Sequence, residues 1–236
     1  MKAAILIDGG YFLKRISSVR RDIDPSNPEH VSRAIGQLVK NHLEYLNKTT
    51  KAENHFSLLY RSFYYDAKPY TNLGHLPVSK RAINYGTTDA AKFRLQLFEL
   101  LRKRPNFAVR LGEVRRVRAW VLKEPVQKDL LAGRRQFADL TDEDFQPDLR
   151  QKAVDMRLGI DIASITLKKQ ADTIILVAGD SDFVPAAKLA RREGVRIILD
   201  PMWRAVHAQL FEHIDGLRSG FTRQRRDDEG QPEDES

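Results

Sequence analysis

Asp8 follows the short apolar run Ala3 to Ile7 and precedes Gly9 and Gly10, while Asp180 and Asp182 stand in the turn Gly179-Asp180-Ser181-Asp182-Phe183. A fourth acid, Asp155, lies near the start of Lys152-Ala153-Val154-Asp155-Met156-Arg157-Leu158-Gly159-Ile160-Asp161. If Asp8 and Asp180 leave neighbouring strand ends of an open α/β sheet, they meet in the crevice beyond the carboxyl ends, where such sheets bind ligands. Carboxylates gathered there repel and raise one another's pKa unless a cation or a proton lies among them. Hard divalent ions that prefer oxygen donors, Mg²⁺ or Mn²⁺, suit that set. Asp8, Asp155, Asp180 and Asp182 are therefore the candidate metal ligands and catalytic groups.

Each has a structural alternative. Ser181 and Asp182 are favourable helix N-caps, Asp155 is another, and Asp8 before two glycines suits a turn. Asp155 and Asp161 are six residues apart, about 120° around an ideal helix, so they do not share a face. Asp155 is the better direct ligand. Asp161 and Ser181 are placed in support behind the metal.

The elements that must position these groups follow from periodicity. Lys2 to Ile7 reads as a buried central strand. From Val31, the residues Ala34, Ile35, Leu38, Val39, Leu43 and Leu46 recur at helical spacing. A second strand is expected over Phe56 to Tyr65, with Phe56, Leu58, Tyr60, Ser62 and Tyr64 on one face. Phe93, Leu97, Leu100 and Leu101 mark another helix. The last third alternates a helix over 152–169, a strand over 173–178, a helix after Asp182, a strand over 195–199 and a short helix near 204–213. This alternation predicts an α/β fold with a mainly parallel sheet covered by helices on both faces. Residues 104–145 read as hairpin and loop elaboration. The tail 223–236 has no large apolar residue, and disorder is expected there.

Composition narrows the classes. The 236 residues suit one domain, and the absence of cysteine excludes disulfides, thiolate zinc sites and cysteine nucleophiles. No apolar run approaches the roughly 18 residues of a membrane span, and Ala3 to Ile7 is too short for a signal peptide, so a cytoplasmic location is the default expectation. Forty Lys and Arg against 32 Asp and Glu give a net charge of +8, favouring a polyanionic partner. The six histidines show no metal-ligand spacing, and His207 and His213 read as surface or packing residues.

Ile7-Asp8-Gly9-Gly10, Val154-Asp155 with Asp161 six residues later, and Gly179-Asp180-Ser181-Asp182-Phe183 resemble, in order and spacing, the signature blocks of the NYN domain in the LabA/DUF88 group of PIN-like proteins. The resemblance covers most of residues 1–217, weakly in the middle third. It implies a Rossmann-like PIN/NYN domain over 1–222, an acidic pocket for Mg²⁺ or Mn²⁺, and hydrolysis of RNA phosphodiesters, with DNA as the second candidate substrate. Self-association stays open. Several relatives carry Asn three residues after the first Asp, where this chain has Tyr11.

Substrate contact is expected from Arg102, Lys103, Arg104, Arg110, Arg115, Arg116 and Arg118, a stretch with Glu113 as its single acid, and Trp120 could stack a base. Packing of Trp120 in the core is an equal alternative. Two rival readings remain. One is a regulatory RNA-binding module without catalysis. The other is a haloacid-dehalogenase-type phosphatase, whose metal loop resembles Gly179 to Asp182 with Lys168 or Lys169 upstream. That family requires an Asp-x-Asp pair after the first strand, and Gly10 occupies the second position.

Overall fold

A computed structural model describes residues 1–222, except for the side chains of Arg118 and Ala119. The expectation for the 223–236 tail lies outside the described residues. The chain runs β1 (Ala3–Asp8), α1 (Gly9–Val19), α2 (Pro28–Thr50), β2 (Leu59–Lys68), the small strands β3 (Leu73–His75) and β4 (Ala82–Asn84), and α3 (Asp89–Arg102). It continues through β5 (Phe107–Leu122), α4 (Glu124–Leu131), β6 (Phe145–Lys152), α5 (Val154–Leu167), β7 (Thr173–Val177), α6 (Val184–Arg192), β8 (Arg196–Asp200), α7 (Ala208–Phe211) and β9 (Gly216–Leu217).

The main sheet has the order β6-β5-β2-β1-β7-β8-β9, and every pairing is parallel except β5 with β6. This is the mainly parallel α/β architecture expected. β1 is central and buried on both faces, and alternation along it feeds two cores. Ala3, Ile5 and Ile7 join Phe12 and Ile16 of α1, Ile35 and Leu38 of α2, and Leu97 and Phe98 of α3. Ala4 and Leu6 join Leu158 and Ile162 of α5, with Ala190 of α6.

Local chemistry sets the helix starts. Asn27 caps α2 by accepting from Glu29 N at 2.9 Å, with Pro28 at the first helical position, where its missing N–H costs nothing. α1 is a helix that the turn signal of Gly9 and Gly10 conceals. Asp8 caps it, and Phe12, Ile16 and Val19 form its buried stripe. Gly9 is required at its start, because a Cβ there would lie 2.6 Å from the carbonyl oxygen of Tyr65.

The strand expected from Phe56 begins later. Asn54 caps a 3₁₀ turn over His55–Leu58 and leaves Phe56 48% exposed. Ala3 pairs with Leu59 but Ala4 with Arg61, so Tyr60 is the extra residue of a bulge. The bulge turns Tyr60 to the α5 side, away from the face shared by Leu58 and Tyr64.

The weakly patterned stretch 104–145 holds the long strand β5, the helix α4 and two 3₁₀ turns, and β5 pairs antiparallel with β6 as a hairpin elaboration of the sheet. Phe107 to Glu113 of β5 pairs with β2, and from Glu113 onward β5 overhangs the carboxyl edge and pairs with β6. Among the described residues, no helix is long and apolar enough to cross a membrane.

Candidate functional site

β1, β2 and β7 end together at the carboxyl edge. Asp8 pairs in register with Tyr65, so Asp66 stands one residue beyond it on the next strand. Asp180 follows β7 after Ala178 and Gly179, and Asp155 enters on the first turn of α5. Ala153, in the left-handed region with φ 65°, turns the chain from β6 into that helix. Asp155 is therefore not an N-cap but a first-turn residue, where the positive end of the helix dipole favours its charge.

The electrostatics link these acids pairwise. Burial pushes the Asp8 carboxyl up to about 6, the Tyr11 and Gly10 N–H groups oppose the shift, and Asp155 and Asp66 reinforce it. Burial also raises Asp155, with Asp180 and Asp182 adding repulsion. Asp155 thus has the other three expected acids within electrostatic reach. Asp180 accepts from Asp182 N at 3.1 Å, so it caps the 3₁₀ turn Ser181–Phe183 that contains Ser181 and Asp182.

A cleft of about 330 Å³ opens here, lined by Asp8, Tyr11, Lys14, Gly179, Asp180, Ser181, Arg204 and His207. Its polarity is mixed: the carboxylates form one wall, and the exposed cations Lys14 and Arg204 stand within reach of an anion placed against them. His207 is on the surface, as its sequence context suggests, yet it borders this cleft.

Tyr11 has a structural task. Its N–H donates to Asp8 Oδ1 at 3.0 Å, and its hydroxyl donates to the Pro201 carbonyl at 2.5 Å. Its ring occupies the space beside Gly179, where a Cβ would come within 2.4 Å of a ring carbon. Gly179 is therefore fixed by Tyr11, and together they set the entry of the Asp180 turn.

Asp66 is an acid that the sequence pattern does not single out. It is 1% exposed and accepts from Ala67 N at 2.7 Å and from Arg94 Nε at 3.2 Å. Burial raises its carboxyl, and the Arg94 guanidinium opposes the shift. Its signal is its place at the end of β2, three residues before which the strand was expected to stop.

Asp161 is held apart from the acids. It accepts from the Tyr65 hydroxyl at 2.9 Å and from Arg110 Nε at 3.2 Å. Burial and the Asp161 charge push the Tyr65 phenol up, so it stays a donor. Asp161 braces α5 against β2 and β5.

The basic stretch divides between the two ends of the sheet. Arg102, Lys103 and Arg104 precede β5, at the amino edge and away from the acids. Arg102 pairs with Glu99, and Arg104 donates to the Ser32 carbonyl at 2.8 Å across Gly36. Arg110 is committed to Asp161 and lies over the Phe63 ring. Arg115 pairs with Glu113, and Arg116 lies over Tyr85, both on the overhang of β5 at the carboxyl edge. The Arg118 side chain lies outside the described residues. Trp120 donates from Nε1 to the His75 carbonyl at 2.8 Å and packs near Tyr85.

Among the described residues, no group of three or more His, Asp or Glu side chains is placed to hold a metal ion unaided. The donor chemistry nonetheless fits a hard divalent cation, since neighbouring carboxylates with raised pKa values gain from a positive charge. Mg²⁺ is commonly bound through one or two carboxylates, with water and substrate phosphate completing its shell.

A mostly parallel sheet with acids at its carboxyl edge is consistent with a PIN-like fold. Residues 85–202, half of the chain, match the NYN domain family model, and the chain belongs to that family. Membership makes it a member of the PIN-like nuclease superfamily, whose enzymes act on nucleic acids and are generally dependent on divalent metals. No curated protein and no solved structure matches the chain. The matched segment contains Asp155, Asp161, Asp180 and Asp182, whereas Asp8 and Asp66 precede it and join the site through the sheet.

Proposed function

We propose that this protein is a divalent-metal-dependent endoribonuclease that hydrolyses RNA phosphodiesters at the carboxyl edge of its sheet. The observation that carries this reading is the half-buried Asp8 carboxyl, which lines an open cleft with Asp180 and has Asp155 within electrostatic reach. Such a pair is unfavourable in the empty protein and is relieved by a cation.

In this reading Asp8, Asp155, Asp180 and Asp182 would hold Mg²⁺ or Mn²⁺, one or two of the carboxylates directly and the others through water. The bound ion supplies polarisation of the phosphoryl oxygens and a lowered pKa for the attacking water. Lys14 and Arg204 orient the phosphate, and Tyr11 holds Asp8 in position through its N–H. Ser181 keeps the Asp180 turn in shape. Arg115, Arg116 and Arg118 steer the strand along the overhang of β5, which narrows the expected basic track to its carboxyl-edge part.

The test is incubation of the protein with an end-labelled single-stranded RNA, a structured RNA and a DNA of the same sequence, each with Mn²⁺ and with EDTA. Internal cleavage of RNA with Mn²⁺, abolished by EDTA and by Asp8→Asn, is expected. RNA binding without cleavage would make the protein a regulatory module, and hydrolysis of small phosphate esters alone would make it a phosphatase.

A further inference from the structure

A second cavity adjoins Asp66, since Ala67 and the Asp66 partner Arg94 both line it. It has a volume of about 230 Å³ and is bounded by the segment after β2, the start of α3 and the overhanging pair β5 and β6. We propose that it is a nucleobase subsite, taking one unpaired base of the RNA strand whose phosphate lies at Asp8; this deepens the nuclease reading and rests on it for the identity of the strand.

The size suits a single ring system, being smaller than the roughly 300 to 1,000 Å³ of pockets that enclose drug-sized ligands. The lining suits a base more than a phosphate or sugar. Tyr70 and Tyr85 meet edge to face, with ring centroids 5.2 Å apart at 73°, so the buried Tyr85 holds the half-buried Tyr70 ring in a fixed plane. An aromatic ring fixed at a cavity wall is a stacking platform for any base. Pro69 and Val114 supply apolar contact.

Polar groups at the rim can read a base edge. The Tyr85 hydroxyl is buried without a hydrogen-bond partner, an arrangement that a native site retains for a bound group or water. Arg94 engages Asp66 through Nε, and its terminal nitrogens make no hydrogen bond to a described residue. Gln151 brings an amide from the opposite wall. A base presents both donors and acceptors on its edge and stacks through its faces, matching this combination.

Placement supplies the remaining argument. Asp66 adds to the repulsion on Asp8, and the next residue, Ala67, lines the cavity. Arg94 touches both, since it pairs with Asp66 and lines the cavity wall. A strand with one phosphate at the acids therefore has an adjacent base at this opening. The base must be unstacked to enter, which predicts single-stranded RNA as the ligand and excludes a continuous duplex.

The experiment uses the full chain in EDTA, with a fluorescein-labelled RNA hexamer and a series of hexamers each carrying one abasic position. Wild type is expected to lose about tenfold in affinity at one particular abasic position. Tyr70→Ala is expected to lose about tenfold on the intact hexamer and less than twofold more on that abasic one, the coupling signature of a direct contact. Tyr85→Phe keeps the ring and is expected to change the base preference at that position, which carries the test if Tyr70→Ala does not fold. Equal losses for all abasic positions in wild type and Tyr70→Ala, together with an unchanged base preference in Tyr85→Phe, overturn the subsite. So does failure of the intact hexamer to bind. Cleavage with Mn²⁺ is scored separately: coupling without cleavage sinks the nuclease reading and leaves the subsite, and cleavage without coupling does the reverse.

Discussion

The N–H of Tyr11 donates to Oδ1 of Asp8, so the carboxylate that ends β1 also caps α1, and the Tyr11 hydroxyl ties this junction to Pro201 after β8. Tyr11→Phe leaves the Asp8 cap intact and removes one of the two donors to the buried Pro201 carbonyl, which keeps the Arg204 N–H at 2.9 Å. A loss of about 1 kcal/mol is expected in urea denaturation. Tyr11→Asn, the residue of several relatives, also empties the space beside Gly179 and is expected to cost about 3 to 5 kcal/mol, as for other large-to-small core changes. An Asn variant as stable as wild type would show that the ring is not what holds the Asp180 turn.

Asp8 makes stability depend on pH in a calculable direction. Its carboxyl is raised from the ordinary 3.8 to about 6, so between those values the native state binds a proton that the unfolded state has released. The contribution of this group therefore falls as pH rises from about 4 to 6 and is constant above. Asp8→Asn keeps a cap oxygen for the Tyr11 N–H and has no charge to bury. It is expected to exceed wild type in stability at pH 7 by on the order of 2 to 3 kcal/mol, with the gain gone by about pH 4. Thermal melts in EDTA across that range check this. Mn²⁺ should raise the wild-type midpoint more than that of Asp8→Asn, and a pH-independent difference between the two proteins would contradict the account.

Much of the fold is legible in the sequence, and the exceptions have physical causes. Long amphipathic helices such as α2, and buried strands such as β1 and β7, declare themselves because one period governs many residues. α1 is obscured because Gly9 and Gly10 signal a turn, although Phe12, Ile16 and Val19 have helical spacing. Asp66 is hidden with the end of β2, because the bulge at Tyr60 and the 3₁₀ turn before it shift that strand out of simple alternation. Asp161 joins the acids by the spacing of the family motif, while the side chains that occupy it, Tyr65 and Arg110, come from strands that no local pattern joins to α5. The basic run looks continuous because sequence does not tell which of its residues precede β5 and which overhang the carboxyl edge.

That division makes a prediction about binding. Replacing Arg115, Arg116 and Arg118 together with Gln should weaken binding of a single-stranded RNA in EDTA and flatten its dependence on salt, by up to about 0.7 in log–log slope for each phosphate no longer neutralised. Replacing Arg102 and Lys103 with Gln should change neither, because both lie by the amino ends of the strands. Equal effects from the two sets would mean that the charge acts through the net field and not along a track.

The acids separate into those that face the cleft and those that brace the fold, and amide substitutions distinguish them. Asp161 accepts from the Tyr65 hydroxyl and from Arg110 Nε on one oxygen, Oδ2, and Asn retains an oxygen for that place while losing the charge that pairs with Arg110. Asp161→Asn should lower stability by about 1 kcal/mol and leave RNA cleavage within a few-fold of wild type. Asp155 is exposed as a residue and lies at the positive end of α5, and its carboxyl is raised by partial desolvation and by the charges of Asp180 and Asp182. Among the described residues no donor bonds to its carboxylate, so Asp155→Asn should leave stability unchanged or slightly higher. Under the proposed function, the same change removes the carboxylate that stands between Asp8 and the Asp180 turn, and cleavage with Mn²⁺ should fall by at least about a hundredfold, with weaker retention of Mn²⁺ in equilibrium dialysis. Steady-state cleavage and urea melts on the two variants decide the assignment. If Asp161→Asn abolishes cleavage at full stability and Asp155→Asn does not, the metal lies deeper along α5, toward Tyr65, than the cleft at Asp8.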